Sequence, residues 1–448
     1  NLFCLQNNTE RPFAVYNTNS FLLYNLARHT MSPSLSRVLI ADFKDSDISG
    51  EIPFLFHRAG CHIDVYCSPH SWLRKSRYAH AWYPANTKNE EEYVTGLESL
   101  TQSQQYDWVV LTDDFALRVL TDHLSKESDV LSLLPLTTLE HRAVVGSKAE
   151  LSRVALQHGL RTPRFVLYEG DDAITKAIEH VPFPMLLKVD RSGGGKGIFR
   201  CENAQEIEKV VASLSPEQLH KLVFQEYIVG DNIAVEALFK GGVVYAYTYA
   251  TVTANMEDEF GISAVRIYQR NAAMHATLSA IGSVIGIRGF CSLTFMRDAS
   301  TGEHYLIEAD MRPHAWFALS RFAGVNFSKA IENFIEGNES TLSQPATPEH
   351  IEVRHFLRDV RRTITDRNIL ELARWCLNSK GRWNYIPLHD TRLFLWTLES
   401  LARSYLYRIK TVRRLVQWFM RYHKSIKGAL RTHYGAWRQN THRERPYP

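Results

Sequence analysis

Two acids stand two residues apart in the stretch Leu306-Ile307-Glu308-Ala309-Asp310-Met311-Arg312. On a strand, side chains two apart share a face, so Glu308 and Asp310 point the same way. Two oxygen-bearing groups on one face suit Mg²⁺, a hard cation that shares its shell with phosphate oxygens. Leu306, Ile307 and Ala309 leave no clean polar face, so these acids are expected to be buried against a partner. A second cluster lies upstream, where residues 184–203 read PMLLKVDRSGGGKGIFRCEN. Glycine is costly in ordered structure and is kept where a backbone turns sharply or lets something approach closely. Residues 185–189 and 197–200 read as the two strands of a hairpin, with Lys188 inside the first and Lys196 at the tip. Backbone N–H groups of Gly193, Gly194, Gly195 and their neighbours suit a polyphosphate, as in other anion-binding glycine turns. The lysines add point charges. The loop is no Walker A motif, because Lys196 is followed by Gly197 rather than Ser or Thr. Alone it reads equally as a tight hairpin; Lys188 before it and Glu308 far downstream favour nucleotide binding.

The elements that must position these groups follow from the pattern. Residues 37–43, 62–67 and 107–114 read as strands alternating with helices at 51–60, about 89–105 and 115–124, a small parallel α/β unit. No GxGxxG follows its first strand, so a dinucleotide fingerprint is absent. From residue 145 the pattern changes to a helix opening at Lys148, the glycine hairpin, a meander of strands, a helix over 272–285, a hairpin over 289–312 and a helix over 327–336. Residues 341–349 are polar, with prolines, and read as a linker. The rest reads as mostly helical.

Composition bounds the answer. The 448 residues, 45% hydrophobic and 22% charged, suffice for two or three domains with a substantial core. The net charge of +4 is unevenly spread: 401–448 holds twelve of the 52 Lys and Arg but one of the 48 acids, which leaves 40 basic and 47 acidic residues in the first 400. Within that tail Tyr405, Ile409, Val412, Val416 and Phe419 recur at helical spacing among basic residues. Such a helix docks on the body, lies on an anionic membrane or meets an acidic partner; specific nucleic-acid binding is not expected. Cys4, Cys61, Cys67, Cys201, Cys291 and Cys376 form no CxxC pair, which suits a reduced intracellular protein with structural cysteines. No run of 18 apolar residues marks a membrane span. The chain starts at Asn1 rather than Met, compatible with a trimmed leader. The expected setting is cytoplasmic, or peripheral to a membrane through the tail.

Five features stand in order: Lys148 at a helix opening, Lys188, the glycine loop, FQEYIVGDN at 224–232, and LIEADMRP at 306–313. Their order and spacing resemble the ATP-grasp superfamily, which includes D-alanine–D-alanine ligase and biotin carboxylase, over about residues 37–336. The resemblance implies an α+β ATP-grasp fold. An N-terminal α/β domain is expected over 1–144, the ATP-grasp domain over 145–340 and a helical, basic extension over 350–448. It implies that Lys148 and Lys188 contact ATP phosphates and that Gln225, Glu226, Tyr227 and Ile228 form an adenine-binding hinge. Ribose would fall to Asp231 or Asn232, where the family usually has a glutamate. The metal acids of the pattern Glu-x-Asn-x-Arg fall on Glu308 and Asp310, with Arg312 holding the substrate carboxylate or its acyl phosphate. The family's first metal acid is here Thr294. Arg266 and Arg270 fit either a substrate role or the surface, Arg288 less so, and His314 and Trp316 either line an acceptor pocket or pack. Residues 311–331 and 382–401 are similar in layout to the ATP-grasp ligases of mycosporine biosynthesis, which act on a cyclic enol-ketone. The implied activity is a ligase that uses ATP and Mg²⁺ to join a small carboxylate, or an enol-like oxygen, to an amine. An ATP-binding pseudoenzyme or scaffold and an ATP-grasp kinase are the alternatives.

Overall fold

Strand β1 (Arg37–Ala41, RVLIA) is apolar at four of five positions and buried throughout its last four residues. A strand of that kind belongs inside a parallel sheet covered on both faces. β2 (His62–Cys67), β3 (Ala81–Pro84) and β4 (Trp108–Leu111) complete it, in the order β3-β2-β1-β4 with every pairing parallel. The helices Ile52–Arg58, Glu90–Ser103 and Asp114–His123 cover it. β3 is an edge strand of four residues ending in proline, too short to stand out in the sequence. This computed structural model describes residues 35–124, 131–170, 172–257, 259–338 and 350–408.

Two antiparallel sheets follow. The smaller contains β5 (Phe165–Leu167), β6 (Met185–Lys188), β7 (Ile198–Cys201) and β8 (Val223–Glu226), in the order β5-β8-β6-β7. The larger contains β9 (Gly230–Lys240), β10 (Val243–Tyr247), β11 (Ala250–Asn255), β12 (Ser263–Tyr268), β13 (Gly289–Asp298), β14 (His304–Asp310) and β15 (Ile351–Arg354). Its order is β14-β13-β9-β11-β12-β15, with β10 also paired to β9. Residues 227–229 connect the two sheets. In the β13–β14 register Thr294 stands opposite Glu308 and Ser292 opposite Asp310.

Burial shows which parts are held together. Leu39, Leu97 and Leu120 of the parallel unit share a core with Val235 and Phe239 of the larger sheet and Leu278 of the helix Met274–Ile285. Trp108 stacks on Phe290 and on Phe334, with centroids 5.3 and 4.3 Å apart. The smaller sheet instead has its own core, built from Val181, Leu187, Ile207 and Phe224. The glycine hairpin β6–β7 therefore belongs to a separately cored unit, joined to the larger sheet through residues 227–229 and through hydrogen bonds of Arg161 and Thr162 with Leu306.

The region from residue 350 departs from the helical expectation at its start. Ile351–Arg354 is a strand that pairs antiparallel with β12, because Ile351 and Val353 alternate into a small core around Trp316. Helices Phe356–Thr365, Ile369–Cys376 and Thr391–Arg408 follow. This region is tied to the parallel unit: Ser76 donates to Asp390 at 2.6 Å, and Arg358 pairs with Asp47 at 3.2 Å. The linker expected at 341–349 and the basic stretch beyond Arg408 lie outside the described residues. Among the described residues no helix is long and apolar enough to cross a membrane. Cys61, Cys67, Cys201 and Cys291 are buried and unbonded, and Cys376 is exposed.

Candidate active site

A cavity of about 830 Å³ lies between the two antiparallel sheets and reaches the parallel unit. Lys148, Lys188, Gly193, Gly194, Gly195, Gln225, Glu226, Tyr227, Ile228, Asp231, Asn232, Arg266, Thr294, Glu308, Asp310 and Arg312 all line it. Lys196 does not: it is exposed at the hairpin tip, outside the residues that line the cavity.

One end gathers the lysines. Ser147 caps the helix Lys148–Gln157 by accepting from the Glu150 N–H. Asp190, just after β6, accepts from the Ser147 hydroxyl at 2.9 Å and from the Lys148 N–H at 2.7 Å. A carboxylate at a helix N-terminus is favoured by the orphan N–H groups there, and here it fixes that helix to the start of the glycine loop. Lys148 Nζ donates to the Ser192 carbonyl at 2.7 Å and pairs with Glu308 at 3.1 Å. Lys188 is 4% exposed and donates to the Gln225 side-chain oxygen. Burial pushes its pKa down to about 8, assisted by the Lys148 charge and resisted by Glu308. Burial also pulls on Lys148, but Glu308 and Asp310 outweigh it and hold that ammonium above its ordinary value. Gly195 has φ +79°, and a Cβ there would sit 2.4 Å from the Phe260 carbonyl oxygen. Only glycine allows the loop to lie against the 259–262 segment so closely.

The connection between the sheets carries a different chemistry. Glu226 accepts two guanidinium bonds from Arg164, at 3.1 and 3.0 Å, and its pKa is lowered by them. Its carboxylate is therefore already engaged. Tyr227 donates its hydroxyl to Glu259 at 2.6 Å. Asp231 pairs with Arg297. Asn232 Oδ1 is buried without a hydrogen-bond partner.

The opposite end is built around buried guanidiniums. Asp114, at the start of the helix after β4, receives two bonds from Arg312, both 2.6 Å. Asp310 accepts a third from Arg312 at 3.2 Å. Burial, with Asp114 and Glu308 nearby, holds Asp310 well above the usual carboxylate range, although Arg312 and Lys148 pull the other way. For Asp114 burial works upward too, but Arg312 wins and its pKa is lowered. Arg266 pairs with the fully buried Glu236 and lies over the Trp316 ring, 4.2 Å from its centroid. His314 caps the short helix Ala315–Leu319. Burial, then the charges of Arg266 and Arg312, keep its imidazole neutral.

Glu308 and Asp310 fit Mg²⁺ in the mode in which one or two carboxylates hold the ion together with substrate phosphates. Both line the cavity, and the Thr294 hydroxyl lines it from the neighbouring strand. Among the described residues no group of three or more His, Cys, Asp or Glu is placed to hold a metal ion unaided. Sequence reading missed Asp114, Asp190, Glu236 and Arg358. Asp190 had a local signal, an acid between strand and glycine loop. The other three act on groups far away in sequence, and nothing local marks them.

The RimK-like ATP-grasp domain family matches residues 146–262. A D-alanine–D-alanine ligase of Fusobacterium nucleatum is 26% identical over 182 residues, 38% of this chain and 58% of that ligase. The chain thus spans less than two thirds of that relative's length. Among solved structures, an L-amino acid ligase of Bacillus licheniformis superposes with TM-score 0.52 at 17% identity, over 71% of this chain and 78% of its own. N5-carboxyaminoimidazole synthetase of Staphylococcus aureus gives 0.55 at 15% identity, over 75% and 86%. Matched segment, sheet arrangement and intervening cavity agree: residues 146–262 carry a RimK-like ATP-grasp domain, set in an ATP-grasp fold.

Proposed function

We propose that this chain is an ATP-dependent ligase that activates a small carboxylate, or an enol-like oxygen, and joins it to an amine. The observation that supports it best is the facing of Lys148, Lys188 and the glycine hairpin against Glu308, Asp310 and Arg312 across one cavity. In this reading the lysines and loop amides hold the phosphates, and the backbone of residues 225–228 meets the base. Asn232, with its unpartnered oxygen, takes a ribose hydroxyl in preference to Asp231, which Arg297 already holds. Glu308 and Asp310 would hold Mg²⁺, which when bound neutralises charge on the transferred phosphoryl group. An oxygen of the acid attacks the γ-phosphorus and ADP leaves. The amine nitrogen then attacks the acyl carbon, and phosphate departs with one oxygen from the acid. Arg312, held by Asp114, keeps donors fixed where negative charge develops, so little reorganisation is needed at the moment of reaction. Arg266 steadies the acid beside it. Three units, 1–144, 145–340 and 350–448, belong to the same reading. A cytoplasmic setting and a basic tail against an anionic membrane or an acidic partner rest on charge distribution alone.

The test is ADP release from Mg²⁺-ATP with pooled amino acids and small carboxylic acids, with Glu308→Gln as control. ADP that requires a pool member, an amide product by mass spectrometry and loss of both in the variant are expected. A nucleotide-binding scaffold is the second reading, favoured by Thr294 in place of an acid. It would show thermal stabilisation by ATP and no ADP with any pool. A phosphorylated product without an amide would indicate a kinase.

A further inference from the structure

Arg358 lines the same cavity, yet it comes from the helix Phe356–Thr365, far beyond the family-matched segment. It is 3% exposed. Its Nη2 bonds to Asp47 at 3.2 Å, and Arg361 approaches the same carboxylate at 3.5 Å. One acid therefore faces two guanidiniums. Arg358 Nε is buried without a partner, and so is Nη1 of Arg312, whose other two nitrogens are held by Asp114 and Asp310. Trp316 Nε1, in the same lining, is a third buried donor without an acceptor. A buried donor left unmade costs free energy of the order of 1–3 kcal/mol, more when charged. Unfilled donors on two guanidiniums and an indole at this end of the cavity call for an anionic acceptor. After burial, and against the pull of Asp47, the charges of Arg266 and Arg312 act on Arg358, so the three guanidiniums share one neighbourhood.

We infer that Arg358 and Arg312 together form a carboxylate-recognition site at this end of the cavity, one free donor from each, and that the C-terminal region thereby sets which acid the protein accepts. The inference rests on the ligase reading for its purpose but not for its test. A planar carboxylate offers two oxygens to two separate donors, whereas an amide offers one acceptor and adds donors of its own.

The test measures thermal stabilisation of the full chain by propionate, succinate and L-alanine against propionamide, succinamide and L-alaninamide, at matched ionic strength, with Mg²⁺-ATP stabilisation recorded separately. Wild type should prefer at least one acid to its amide. Arg358→Gln should raise the concentration needed by at least about tenfold and leave ATP stabilisation unchanged. Arg361→Gln touches the same Asp47 but not the cavity, and should shift it by less than about threefold. Should Arg358→Gln fold poorly, Arg358→Lys keeps the charge beside Asp47, drops the Nε donor and should show the same loss. Equal response to acids and amides in wild type, or equal shifts in the Arg358 and Arg361 variants, would overturn the inference. Absence of ATP stabilisation in wild type would instead sink the nucleotide reading and leave an acid preference standing.

Discussion

The two ends of the cavity are assembled in opposite ways. The lysine end comes mostly from one stretch, 147–195, in which Ser147, Lys148, Lys188, Asp190 and the glycines lie within fifty residues. The guanidinium end draws Asp114 from the parallel unit, Glu236 and Arg266 from the larger sheet, Arg312 from just past β14, and Arg358 from the region after residue 350. The lysine end sits in the separately cored smaller sheet and the helix beside it, and its pairs are partly open: Glu308 is 35% exposed where it meets Lys148. At the guanidinium end the Arg266–Glu236 pair is closed, 7% and 0% exposed, while Arg312, itself 8% exposed, meets an Asp114 that is 41% exposed. Phosphate is a large, recurring anion that a local loop can cradle. The acid differs from one ligase to another, and holding it demands fixed donors that only packed, distant elements supply.

That contrast breaks first at the buried pair. Glu236→Ala leaves Arg266 buried without its carboxylate and should cost about 3–5 kcal/mol of stability by chemical denaturation. Glu308→Gln, at the open end, should cost less than about 1 kcal/mol. Similar losses for both would erase the distinction. Next comes Arg312→Lys, which keeps a cation but loses the two-pronged bond to Asp114. It should lower kcat by about 10²–10³-fold while ATP still stabilises the fold. Unchanged kcat would remove Arg312 from the reaction.

The third expectation is a pH dependence at the lysine end. Without nucleotide, Lys188 titrates near 8, and bound phosphates raise that value. Below pH 8 the ammonium is already charged and affinity is level. Above it, binding must take up a proton, so affinity should fall by about tenfold per pH unit toward pH 9. Nucleotide titrations from pH 6.5 to 9 read this directly. A flat profile, or the same slope in Lys188→Met, would show that Lys188 does not meet the phosphates.

How much was legible follows the same division. Lys148, Lys188, the glycines, Glu308, Asp310 and Arg312 carry their signal locally, as a helix opening, a hairpin or an alternating strand, and the structure brings all of them to one cavity. Lys196 shared the glycine loop's signal but is exposed, and the loop lines the cavity through Gly193, Gly194 and Gly195 instead. Glu226 stood in the expected adenine hinge, but nothing near it in sequence showed that Arg164, sixty-two residues earlier, holds its carboxylate. β15 was hidden because four residues of alternating pattern next to long helices carry little weight until β12 is seen beside them. Arg358 was invisible for a similar reason: in FLRDVRR it is one of three arginines, and only packing shows which one reaches the cavity.

The most direct test of the ligase reading follows an oxygen atom. Acids labelled with ¹⁸O in the carboxylate are supplied as a pool with amines and Mg²⁺-ATP, and the released phosphate is weighed. The reading requires one ¹⁸O in phosphate for each amide formed, because the bond that breaks last joins the acyl carbon to the bridging oxygen, which leaves still bonded to phosphorus. Phosphate that carries no label, or ADP that accumulates without any amide, would contradict it.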